Sequence, residues 1–269
     1  MSGAARTDRI ARRLDEAREG GRKLLVVYLT AGFPDRGRCR EALAGLSAAG
    51  ADAIELGVPF SDPLADGPVI AAASERAIAA GMTIREAIDL GAAHARPDDG
   101  RCPLILFTYL NPVASLGIGA LSDACARAGF EGVLIADLPF DEDPMIEDVL
   151  AARDIALIRV AAPTTPVDRL ARLARGARGF VYLIARTGVT GAGTGTDSRV
   201  VEQVAVIREN SRLPVVVGFG IDDPKAARDA ARFADGVVVG SAFVDRLGRD
   251  GPLDALAWIR AVRDALDES

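Results

Sequence analysis

The chain has 269 residues, 49% of them hydrophobic and 26% charged, which is enough apolar content for a packed core and excludes wholesale disorder. A net charge of −6 supplies no excess positive field, which excludes nucleic acid and anionic membranes as general partners and leaves room for a small phosphorylated ligand. No apolar run reaches the roughly 18 residues of a membrane span, the Arg-rich start lacks the apolar centre of a signal peptide, and the scattered Cys39, Cys102 and Cys125 read as free thiols, so a cytoplasmic protein is expected.

Residues Asp8–Arg18 read as an extra amphipathic helix ahead of the first strand, placed either to plug a barrel floor or to present its arginines to solvent. Strands are then predicted at 24–30, 53–58, 104–109, 132–137, 156–161, 180–185, 214–219 and 236–240. Most are continuous apolar runs, the pattern of strands buried on both faces. Stretches with apolar spacing near 3.6 separate them, among them Arg38–Ala49, Leu121–Ala128, Val167–Arg175, Arg199–Glu209 and Pro224–Arg232. Eight βα units predict one domain over 1–269, a (β/α)8 TIM barrel with an N-terminal helix. A doubly wound open sheet is the alternative, because periodicity does not register closure. Two connections are long: Pro59–Gly67 after the second strand, and Arg186–Asp197, with four glycines, after the sixth. Both follow strand C-termini, where barrel enzymes place their chemistry.

Scarcity narrows that chemistry. One histidine, His94, and two lysines, Lys23 and Lys225, leave little for a metal site or an imine, and no metal is expected. His94 is expected on the surface of a helix between the second and third strands, without a role. Carboxylates remain. Glu55 interrupts an apolar strand, where a charge is costly. Either it pairs with an arginine inside the barrel, or an apolar pocket raises its pKa so that it exchanges a proton near neutrality. Asp66 follows on a loop that Pro59, Pro63 and Pro68 restrict, and Asp62 beside it suits a turn. Two carboxylates in unlike surroundings can divide acid and base roles.

Late in the chain, Gly218-Phe-Gly220 ends the seventh strand and Gly240-Ser241 the eighth. Such turns expose backbone N–H groups beside a helix N-terminus, the usual phosphate cradle of barrels. Ser241 is expected to add a hydroxyl and to cap the next helix. With Gly191 they favour a phosphate site over glycines that merely relieve crowding. Tyr28, Phe60, Phe107, Tyr109, Tyr182 and Phe219 are candidate pocket walls, each also compatible with core packing. Asp137 either touches substrate or organises neighbouring loops. Arg186 and Thr190 lie in the second long loop.

The segment Glu55-Leu-Gly-Val-Pro-Phe-Ser-Asp-Pro-Leu-Ala-Asp-Gly-Pro68 resembles the signature of the tryptophan synthase α subunit family. Tyr28-Leu-Thr-Ala-Gly-Phe-Pro-Asp35, Tyr109-Leu-Asn-Pro112, Asp137-Leu-Pro139, Gly188-Val-Thr-Gly191, Gly218-Phe-Gly220 and Gly240-Ser241 agree in order and spacing, so the resemblance covers nearly the whole chain. It implies a lyase that cleaves indole-3-glycerol phosphate to indole and glyceraldehyde 3-phosphate in L-tryptophan biosynthesis. It also implies Glu55 as the acid–base group at indole C3 and Asp66 as the partner of the indole N–H. Tyr182, Thr190 and Phe219 would contact substrate, and Gly191, Gly220, Gly240 and Ser241 the phosphate. The implied partner is a β subunit in an α2β2 heterotetramer, with pyridoxal phosphate held by that β subunit and no cofactor in this chain. The Pro59–Gly67 loop and the segment near Asn111–Pro112 would lie at that contact. The retro-aldol reaction suits the sparse toolkit, since it needs neither metal nor imine. A free-standing lyase, a regulatory subunit without activity and another phosphate-binding barrel are the competing readings; intact Glu55 and Asp66 weigh against the regulatory subunit, and a single histidine against a metal-dependent epimerase.

Overall fold

The computed structural model describes residues 8–64, 66–94, 101–142, 144–184, 198–218 and 220–268. Helix α1 (Arg9–Glu19) precedes β1 (Leu24–Thr30), and α2 (Arg36–Gly45) leads to β2 (Ala53–Gly57). Two helices, α3 (Pro68–Ala79) and α4 (Ile84–Ala92), separate β2 from β3 (Leu104–Thr108). Then come α5 (Leu110–Leu116), α6 (Ile118–Ala128), β4 (Gly132–Ile135), α7 (Pro144–Ala151), β5 (Ala156–Ala161), α8 (Val167–Gly176) and β6 (Val181–Ile184). The chain closes with α9 (Ser198–Asn210), β7 (Val215–Gly218), α10 (Pro224–Ala231), β8 (Gly236–Val239), α11 (Ser241–Asp250) and α12 (Pro252–Asp267).

All eight strands pair in parallel in sequence order, and β8 returns to β1, so the sheet is a closed barrel and not an open one. Apolar runs form its strands because each strand buries both faces. Alternate residues divide cleanly. Leu24, Val26, Ala53, Ile105, Leu134, Ile158, Phe180, Val216 and Val238 fill the interior. Leu25, Val27, Leu29, Ile54, Leu56, Leu106 and Val217 face outward into the helix layer. Gly236 admits no side chain, because a Cβ there would lie 2.4 Å from the carbonyl oxygen of Leu24.

The N-terminal helix plugs the floor. Asp8 caps α1 by accepting from the N–H of Ala11 at 3.1 Å, and its other oxygen accepts from the N–H of Gly179 at 2.6 Å just before β6. Ile10 and Leu14 are thereby held inside the barrel cluster, fully buried. With the floor sealed, the open C-terminal end is the end left for a ligand.

Strand ends differ from the sequence expectation by one or two residues. The fourth strand stops at Ile135 because Ala136 and Asp137 turn back. The N–H of Leu138 donates to the carbonyl of Ile135 across that turn, and the carboxylate of Asp137 accepts from the N–H of Leu110 at 2.7 Å. Asp137 therefore organises the β3–α5 connection. His94 departs from its expected place: it lies just past α4 and is buried, only 2% exposed. The three cysteines are free thiols. Among the described residues, no helix is long and apolar enough to cross a membrane.

Candidate active site

The C-terminal mouth holds a cavity of about 220 Å³. Inward residues of the strands line its wall: Tyr28, Glu55, Phe107, Leu134, Val160, Tyr182, Gly218 and Val238. Loop residues Asp66, Ile70, Gly220, Ile221, Gly240 and Ser241 complete its rim. The barrel thus joins Glu55 and Asp66 with Gly218, Gly220, Gly240 and Ser241, residues far apart in sequence.

Glu55 is in the middle of β2, with its side chain inward and 1% exposed. Among the described residues no arginine or lysine forms an ion pair with it, and its Oε1 has no hydrogen-bond partner. The described residues therefore do not supply the arginine-paired alternative. Burial, unopposed, raises the Glu55 pKa to about 8. The carboxyl therefore changes protonation near neutrality, as an acid–base group must.

Asp66 sits beyond the Pro-restricted loop, just before α3. Burial raises its pKa as well, and a hydrogen bond from the Tyr109 hydroxyl works in the opposite direction. Tyr109 is itself buried, packed on Phe60 with ring centroids 5.1 Å apart. Phe60 and Tyr109 thus secure the loop that carries Asp66 and do not line the cavity. Asp62 accepts from the hydroxyl of neighbouring Ser61 at 2.5 Å, an arrangement local to the turn.

Two glycines make room for phenols. A Cβ on Gly57 would lie 2.1 Å from the Tyr28 hydroxyl, and one on Gly218 2.6 Å from that of Tyr182. Tyr182 is inward on β6, with its pKa raised by burial first and by Glu55 and Asp66 next. It stays a neutral phenol at physiological pH.

Gly240 is the N-cap of α11 and Ser241 its first residue, so the expected hydroxyl cap is not made and the Ser241 side chain stays at the rim. The first N–H groups of α11 have no partner within the helix, which leaves them for an anion. Gly220 has φ +62°, a left-handed conformation that favours glycine. Thr190, Gly191, Phe219 and Arg186 lie outside the described residues.

Both lysines are spent elsewhere. Lys23 donates to the carbonyl of Ala234 at 2.9 Å, on the floor side, and Lys225 pairs with Asp229 along α10. Among the described residues, no group of three or more His, Cys, Asp or Glu side chains is placed to hold a metal. The apolar lining, such as Leu134, Val160 and Ile70, was not singled out from sequence. Counting in twos along each strand from an inward residue would have found the strand members.

Residues 14–263 match the family model described as tryptophan synthase alpha chain. The tryptophan synthase alpha chain of Laribacter hongkongensis is 44% identical over 263 residues, covering 97% of this chain and 99% of that protein. The one from Synechococcus elongatus is 45% identical over 251 residues, covering 93% and 94%. Among solved structures, tryptophan synthase subunit alpha from Legionella pneumophila superposes with a TM-score of 0.87 at 31% identity, covering 98% of this chain and all of that one. A chain of Mycobacterium tuberculosis tryptophan synthase in its aminoacrylate-bound form gives 0.86 at 31% identity, covering 97% and 100%. A closed barrel with its carboxylates and glycine turns at one mouth, and a match in sequence over nearly its whole length, place the chain in the tryptophan synthase alpha chain family.

Proposed function

We propose that this chain is the lyase component of tryptophan synthase, cleaving indole-3-glycerol phosphate to indole and glyceraldehyde 3-phosphate in tryptophan biosynthesis. The observation that carries the reading is Glu55: a fully buried carboxyl with no ionic partner among the described residues, its pKa raised to about 8, in the cavity that also holds Asp66 and the glycine turns.

The steps follow from those groups. Substrate phosphate binds at the α11 N-terminus between Gly240–Ser241 and Gly220, with Gly191 as a further donor. The indole lies in the apolar wall, contacted by Tyr182, Thr190 and Phe219. Protonated Glu55 gives its proton to indole C3, which turns the ring into an indolenine cation. Anionic Asp66 beside N1–H stabilises that charge. The bond between C3 and the glycerol carbon then breaks, and its electron pair restores the aromatic ring. The glycerol hydroxyl becomes the aldehyde, and its proton returns to the Glu55 carboxylate. No metal, imine or redox group enters, and the chain itself carries no cofactor.

The proposed assembly is an α2β2 heterotetramer in the cytoplasm, in which the β subunit holds pyridoxal phosphate and receives the indole. Leu64, 91% exposed on the loop that also carries Asp66, is the apolar contact offered to it, a link between partner binding and the site.

The test is indole release from indole-3-glycerol phosphate by the purified chain, with and without a β subunit. Glu55→Gln is expected to cost about 10²–10⁴-fold in kcat and Asp66→Asn about 10²-fold or more. Stimulation by the β subunit supports the complex, while fast turnover alone favours a free-standing lyase. Absence of indole under every condition, with ligand still bound, overturns the reading.

A further inference from the structure

The mechanism above gives Tyr28 no task, although it stands in the ring of inward residues beside Glu55. The two are register partners across β1 and β2, so their side chains enter the barrel at one level. On its other flank is the phosphate turn, where a Cβ on Gly240 would meet the Cβ of Tyr28 at 3.5 Å. The phenol therefore spans the interval between the proposed proton-transfer group and the proposed phosphate cradle.

The ring is firmly held. Tyr28 is 4% exposed and meets Phe107 edge to face, with centroids 5.2 Å apart and planes at 82°. Its hydroxyl fills the space left by Gly57. Thr30 Oγ1 donates to the phenol oxygen at 3.4 Å, a long contact that occupies one acceptor position. A phenol has a single proton to give, and among the described residues no hydrogen bond takes it. Tyr28 lines the cavity, and a buried donor without an acceptor calls for one.

A molecule that joins a phosphate at Gly240 to an aromatic ring at Glu55 runs along the Tyr28 ring, whose Cβ end lies at Gly240 and whose hydroxyl end lies at Gly57, two residues beyond Glu55. We infer that Tyr28 donates a hydrogen bond to a hydroxyl oxygen of the glycerol chain of the substrate, making it a substrate-contacting residue that selects the hydroxylated chain. Thr30 acts as a positioning residue, because its donation occupies one acceptor position of the phenol oxygen and leaves the phenol proton for another partner. The inference rests on the functional reading above.

The experiment compares two ligands on wild-type protein and Tyr28→Phe, which removes one oxygen and keeps the ring packed on Phe107. One ligand is indole-3-glycerol phosphate. The other is 3-(indol-3-yl)propyl phosphate, which keeps the indole and the phosphate but has no chain hydroxyl. In Tyr28→Phe, kcat/KM for the first is expected to fall roughly three- to thirtyfold, the effect of one lost hydrogen bond that leaves a partner unpaired. The inhibition constant of the second should stay within about twofold. Thr30→Val should give a smaller loss with the same sparing of the hydroxyl-free ligand. Equal losses for both ligands, or none for either, overturn the role of Tyr28. Wild-type protein that releases no indole overturns the functional reading instead, so the two failures are distinct.

Discussion

Glu55 is ionisable, buried and without an ionic partner among the described residues, which is unstable chemistry to keep in a barrel. Burial raises its pKa to about 8, against 4.5 for the free carboxyl. Between those values the unfolded chain has released this proton and the folded chain still holds it. The folded state therefore binds more protons, and Glu55 erodes stability as pH rises from 4.5 to about 8. Each pH unit in that window costs about 1.4 kcal/mol. Glu55→Gln carries no such charge. Urea unfolding should show its stability gaining on wild type from pH 5 to pH 8, while its activity is lost. The wild-type kcat/KM should in turn fall above about pH 8, where Glu55 no longer starts protonated. A stability difference between the two proteins that stays flat over that range contradicts an unpaired buried acid. The cost in stability and the proposed acid–base role of Glu55 share one cause, its removal from water.

Among the elements, α1 has the clearest separable task. It lies outside the repeating βα pattern, yet Ile10 and Leu14 complete the interior packing at the closed end. Truncating either to alanine should cost about 2–5 kcal/mol in denaturant unfolding, the range for a buried aliphatic that leaves a cavity. Asp8→Ala loses the helix cap and the bond to Gly179 together and should cost about 1–2 kcal/mol. A helix serving merely as a solvated arginine face would show changes within about 0.5 kcal/mol at all three positions. The sequence already offered both versions of α1, and burial of Ile10 decides between them. The eight strands were legible because burial on both faces writes them as apolar runs. Their ends were less so: β7 stops at Gly218 and β8 at Val239, a matter of strand pairing and not of residue type. Glu55 stood out because a charge in an apolar run is costly, whereas Leu134 and Val160 look the same whether they pack on neighbours or on a ligand. His94 misled for a related reason. Its side chain is polar, but the connection after α4 carries it under the surface.

At the scale of the whole molecule, charge is handled differently at the two ends of the barrel. At the C-terminal mouth Glu55 has no ionic partner among the described residues and lines a cavity. At the N-terminal end the buried charges are tied into the frame. Asp52, just ahead of β2, accepts from the N–H of Leu25 at 2.8 Å, from Arg22 at 2.6 Å and from Arg263 at 3.2 Å. Arg263 comes from α12 and also donates to the carbonyl of Lys23, so the last helix is bound to the start of the first strand. Asp235, ahead of β8, accepts from the N–H of Val215 in the same manner. These bonds close the barrel far from the mouth, whereas the acid at the mouth is the one proposed for the chemistry. The two ends should therefore separate under mutation. Arg263→Leu leaves Asp52 with one fewer cation in a buried setting and should lower stability by about 3–5 kcal/mol, with kcat/KM at 25 °C within about twofold of wild type while the protein remains folded. Asp66→Asn should do the reverse, with a melting temperature at or above that of wild type and activity lost. Thermal unfolding and initial rates measured on the same preparations check both halves. If Arg263→Leu slowed turnover as much as Asp66→Asn, the floor would be coupled to the chemistry through the strands, and the division of labour along the barrel axis would fail.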